Sequence, residues 1–155
     1  MATVRTEAVL ADVAPDRQNG QVQVVWGHYS YADEGAVAIN DVIQMVPIPK
    51  DARILDILVE WNSTWDAGST FDVGDGDDDD RFLAAIAMAN SGRMSLFGGL
   101  SNGAEIDEAI NASGLGYTYS AADTIDITIE GAAADTGDTI TMAVLYVCEG
   151  GFDDE

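Results

Sequence analysis

The chain has 155 residues, 47% of them hydrophobic, with 28 acidic side chains against 6 basic ones and a formal charge of -22. That length suits one domain with its own core, and the apolar share separates it from an acidic disordered chain. So negative a surface repels phosphate backbones and anionic lipid, so no nucleic-acid or membrane partner is expected.

One cysteine, Cys148, rules out an internal disulfide or a cysteine-built zinc site, and it reads as a small core residue. No apolar run nears the roughly 20 residues of a membrane-spanning helix. The first ten residues, with Arg5 and Glu7, do not read as a secretory signal. Lys50 is the only lysine, and an aspartate-rich surface of this kind stays soluble where salt screens its self-repulsion, so a saline setting is expected.

Residues 1–20 hold Val4, Val9, Leu10 and Val13 without clean periodicity and end in the turn-rich 14–20, so they read as an N-terminal arm with at most one short strand. Residues 22–31 alternate, with Val22, Val24 and Trp26 on the apolar side and Gln21 and Gln23 opposite. His28 lies in that strand; as the only histidine it builds no imidazole metal site and reads as a surface or structural residue. Asp33-Glu34-Gly35 is a turn. Residues 41–46 form a strand stopped by Pro47 and Pro49, which lack the ladder donor. Residues 54–61 place Leu55, Ile57, Val59 and Trp61 on one face and Asp56 and Glu60 on the other. Residues 70–73 are a short strand that runs into Gly74-Asp75-Gly76, a turn crowded with aspartates.

After the turn, Asp79 or Asp80 offers an N-cap for a short helix over 84–89, with a continued strand as the competing reading. Loops follow at Gly98-Gly99 and 101–103, then one or two helical turns over 104–111 from the Ile106 and Ile110 spacing. Residues 124–130 alternate strictly, with Ile125, Ile127 and Ile129 inward. Residues 139–148 carry Ile140, Met142, Val144 and Tyr146 on one face and Ala143, Leu145 and Val147 on the other, so this strand is central or touches a partner. These last two strands are expected to pair as an antiparallel hairpin. The sum is an all-β, single-domain antiparallel β-sandwich over 21–149, with the arm at 1–20 and an acidic tail at 150–155.

Chemistry has one concentrated candidate, the six carboxylates of Asp72, Asp75 and Asp77 to Asp80 within nine residues. A solvated acidic turn is the first reading. A calcium loop using Asp72, Asp75, Asp77 and Asp79 is the second, since hard cations take oxygen ligands from such loops. It is not an EF-hand: counted from Asp75, the sixth position is Asp80 and the twelfth is Ile86. With His28 the only candidate base and no nucleophile motif or phosphate-binding loop, catalysis is not expected.

The order Pro47-Ile48-Pro49, Ala52-Arg53-Ile54-Leu55-Asp56, then the run 66–75 (DAGSTFDVGD), the acidic turn and Asp80-Arg81-Phe82-Leu83-Ala84 resembles small β-rich structural proteins of tailed-bacteriophage virions. The head-decoration or cement type is the nearest in character. The resemblance implies a jelly-roll topology, a place on the capsid exterior after assembly in the host cytoplasm, the major capsid protein as partner, and self-association as a symmetric cluster, a trimer. It carries over no catalytic residue. A rival reading is a head-fibre or tail-associated carbohydrate-binding module that stacks sugar on Trp65, Tyr117 and Tyr119 beside a calcium-loaded aspartate loop; a third is a cellular acidic β-protein.

Overall fold

The computed structural model describes residues 1–10, 20–62, 65–96, 99–100, 114 and 116–148. Strands β1 (Thr3–Arg5), β2 (Val22–Ser30), β3 (Val42–Ile48), β4 (Ala52–Trp61), β5 (Thr70–Gly74), β6 (Leu83–Ala87), β7 (Gly92–Ser95), β8 (Gly99–Leu100), β9 (Asp123–Glu130) and β10 (Thr139–Cys148) are joined by two single helical turns, α1 (Glu7–Leu10) and α2 (Tyr31–Glu34). They form two five-stranded sheets: sheet A in the order β1-β3-β9-β5-β6 and sheet B in the order β2-β10-β4-β7-β8. Setting aside the short β1 and β8, the chain changes sheets at every connection except β5 to β6. That path, with orders 3-9-5-6 and 2-10-4-7, is the eight-stranded jelly roll that the resemblance implies.

Alternation explains the core. Ile125, Ile127 and Ile129 of β9 face Ile140, Met142, Val144 and Tyr146 of β10 across the sandwich, all buried, and each such side chain contributes about 1.5–3 kcal/mol on leaving water. Cys148 ends the same row as a buried free thiol. The two strands do not form the expected hairpin: β9 pairs with β3 and β5, whereas β10 pairs with β2 and β4. Each is the centre of its own sheet because each carries enough apolar surface to be flanked on both edges.

Four further expectations change. β3 runs through Pro47, which sits opposite Thr124 of β9; β1 has already ended opposite Gln44, so the ring lies on an open edge where no donor is missed. In β4 the partners of Tyr146 and Leu145 are Ile54 and Asp56, which leaves Leu55 as a bulge and turns Ile54 inward instead. The segment after the acidic turn is the strand β6, not a helix. In β2 the apolar alternation points outward. Gly27 and Tyr29 face the core, because the strand crosses β3 so closely that a Cβ at Gly27 would lie 2.1 Å from the Met45 carbonyl oxygen.

The first ten residues belong to the sandwich. β1 pairs parallel with β3, Thr6 is fully buried and donates to the Met45 carbonyl at 2.6 Å, and the Ala2 amide donates to Asp41 at 2.5 Å. Removing residues 1–20, read from the sequence as an arm with at most one short strand, therefore strips that strand from sheet A. The expected helical turns at 104–111 and the tail at 150–155 lie outside the described residues, as do residues 11–19.

Candidate functional site

The acidic turn is organised by one carboxylate. The chain reverses after β5, with the Asp75 amide donating to the Asp78 carbonyl at 2.9 Å, and Gly74 leaves no room for a Cβ, which would sit 2.0 Å from that same carbonyl oxygen. This turn folds Asp75 inward, to 5% exposure. Its carboxylate accepts from Arg81 Nε at 2.5 Å and Nη2 at 3.2 Å, from the Tyr119 hydroxyl at 3.0 Å, and from the Asp77 and Asp78 amides at 3.1 Å. Arg81 also lies 4.1 Å over the Tyr117 ring, which meets Tyr119 edge-on at 5.0 Å. The bond to Asp75 holds the guanidinium above its ordinary pKa, and burial drives the Tyr119 phenol well up. A buried charge with five donors is a structural clamp.

The other sequence candidates scatter. Asp72 is buried on the outward side of sheet A and accepts from the Ala85 amide at 2.6 Å; desolvation raises its pKa. Asp77 donates its amide to Asp75. Among the described residues, the three carboxylates with oxygens within 4.8 Å of one another are Asp78, Asp79 and Asp80, where a hydrogen bond with Asp78 raises the Asp80 pKa. Of the four proposed ligands, only Asp79 belongs to that group. Of the three proposed sugar-stacking rings, Trp65 and Tyr119 are 3% exposed, with Trp65 Nε1 donating to the Thr139 carbonyl at 3.4 Å, while Tyr117 is half-buried with Arg81 over its ring. Two of the three rings are thus packed away and offer no face to a glycan.

Two surfaces complete the picture, the first missed by sequence reasoning and the second seen there only in its β10 part. On the outward side of sheet A, Asp126 of β9 sits between Gln44 and Gly74, is 5% exposed, and has one oxygen without a hydrogen-bond partner. Burial pushes its pKa up to about 7. The signal was present: a carboxylate in the polar half of a strict alternation, in a strand with apolar neighbours on both sides. On the outward side of sheet B, Val22, Val24 and Trp26 of β2 are 62%, 61% and 64% exposed. Val22, Val24 and Trp26 lie beside Val147, Leu145 and Ala143 of β10, and Leu58 of β4 lies beside Ala143. These seven side chains form one apolar field over three strands. His28 closes its end, bonded to Thr141 at 2.8 Å.

No family model matches the chain, and no curated protein matches it. Solved structures do. A chain from the capsid of Ralstonia phage GP4 superposes with a TM-score of 0.70 at 16% identity, covering 94% of this chain and 97% of that one. One from the cyanophage Pam1 capsid asymmetric unit gives 0.59 at 21% identity, over 86% and 90%. One from the acidic stable capsid structure of Helicobacter pylori bacteriophage KHP30 gives 0.54 at 14%, over 88% and 95%. At these identities the shared property is the fold, a jelly-roll sandwich spanning nearly the whole of each chain.

Proposed function

We propose that this chain is a non-enzymatic structural protein of a tailed-phage virion, one that decorates or cements the outside of the capsid. It sits on the major capsid protein and is held by contacts between subunits. The observation that carries the reading is the uncovered apolar field of sheet B, since soluble monomers rarely leave so contiguous a patch open to water. Whole-chain likeness to three capsid chains and the Pro47 to Ala84 motif order support the setting. A fold held together by internal clamps and presenting a greasy plane is suited to filling a place in a lattice. The acidic remainder keeps decorated particles apart in solution. Self-association as a closed cluster belongs to the same reading, a trimer being the size the resemblance suggests.

The test is occupancy. Heads assembled without this chain are mixed with the purified protein and imaged; saturable density at a fixed ratio to the major capsid protein, with increased resistance to heat, is expected. Bare heads at saturating protein would overturn the reading.

A further inference from the structure

Sheet B's outward face differs in charge from the rest of the molecule. The outward rows of β2 and β10 hold no carboxylate, and those of β4 and β7 hold Arg53 and Arg93 against Asp56 and Glu60, two positive and two negative groups. The face is therefore neutral on a chain of charge -22. Its end charges on β4 are also complementary to each other. Along β4, Arg53 and Glu60 stand at opposite ends of the outward row, both exposed, with Asp56 and Leu58 between them. A two-fold axis in the plane of the face, perpendicular to the strands, keeps strand over strand and reverses each row. It sets Arg53 against Glu60 of a second copy at both ends. The same operation sets Trp26 of β2 against Val24 of the other copy, and Leu145 of β10 against its Ala143.

We propose that this face binds a second copy of the chain in that two-fold arrangement, in place of the three-fold cluster suggested by resemblance. The proposal rests on the capsid reading only for its setting. Packed sheets cross at about 30°, which displaces the ends of the rows by a few ångströms, within reach of Arg and Glu side chains. The face, four strands by four outward positions, measures about 19 Å by 20 Å. That is about half the roughly 800 Å² per partner of a standard interface. Pairing is accordingly weak in free solution and strong where a shell holds two copies as neighbours. The two bodies repel at long range, so added salt tightens the pair.

Sedimentation equilibrium of the full chain up to sub-millimolar concentration, at physiological salt and above, tests this. A monomer–dimer equilibrium is expected, abolished by Trp26→Glu. Arg53→Glu or Glu60→Arg alone weakens it about tenfold by setting like charges opposite each other, and the double variant restores it. All three positions are exposed, and thermal melts confirm that the variants fold. A wild type that stays monomeric throughout, forms a trimer, or dimerises regardless of Trp26→Glu overturns the pairing, as does a double variant no better than its parents. Head occupancy by a chain that never pairs would leave the capsid reading standing; pairing by a chain that never occupies heads would do the reverse.

Discussion

The two outward faces of the sandwich solve opposite problems. On sheet A and its acidic turn, polar groups are drawn inward and closed off within the chain: Asp75 by Arg81 and Tyr119, Asp72 by the Ala85 amide, Asp41 by the Ala2 and Ala38 amides. On sheet B the outward rows of β2 and β10 hold an exposed apolar field, and the four charges beside it on β4 and β7 cancel. A charge of -22 is thus absent from the outward rows of β2 and β10, and those are the rows left apolar and exposed. Carboxylates that repel one another are tolerated where amides and a guanidinium balance them; a neutral greasy plane is tolerated where another surface covers it.

The largest test of that contrast is Asp75→Ala. It leaves the Arg81 guanidinium and the Tyr119 hydroxyl without their shared acceptor, and loss of one partner from a buried pair costs about 3–5 kcal/mol. Calorimetry should show melting lowered by about 2–4 °C for each kcal/mol in a domain of this size. Next is Gly27→Val, which pushes a side chain into the Met45 carbonyl where β2 crosses β3. Overpacking of this kind costs about 1–3 kcal/mol or more, and a melt unchanged from wild type would mean that the crossing is looser than described.

Asp126→Asn acts in the opposite direction and depends on pH. In the folded chain this carboxyl titrates at about 7, against about 3.9 when unfolded. The native state keeps a proton that the unfolded chain releases, so the group costs stability progressively as pH rises through that window and nothing below it. The amide should therefore raise the melting temperature by a few degrees at about pH 8 and leave it unchanged below about pH 4. An equal gain at both ends would show that the proton is not responsible. Smaller still is the effect of Trp26→Ser on the isolated fold, within about 0.5 kcal/mol for an exposed position, while head occupancy falls. Calcium comes last. Because the clamp on Asp75 is closed by donors of the chain itself, millimolar calcium followed by chelation should leave the melting temperature unchanged, and a clear upward shift would support a metal role for the acidic turn.

The difference in legibility between β9 and β2 has a physical basis. In β9 and β10 one face is uniformly apolar, so period-2 alternation fixes what turns inward. In β2 both faces carry apolar residues, and the deciding term is the close approach to β3, which only Gly27 permits and which brings Tyr29 into the core. Trp65 was misread for a similar reason: a loop tryptophan is exposed or buried according to what lies over it, here the start of β10. The calcium reading rests on the spacing of aspartates, and spacing does not show that Arg81 holds Asp75.

Local pattern alone determined that this chain is a one-core β-sandwich, where β9 and β10 lie, and that β10 is central or touches a partner, because side-chain alternation and turn residues act between near neighbours. Tertiary structure alone decided the strand order, the outward turn of Val22, Val24 and Trp26, and the capture of Asp75 by Arg81 and Tyr119. Each of those depends on groups brought together from distant parts of the chain, where packing distance and desolvation outweigh local preference.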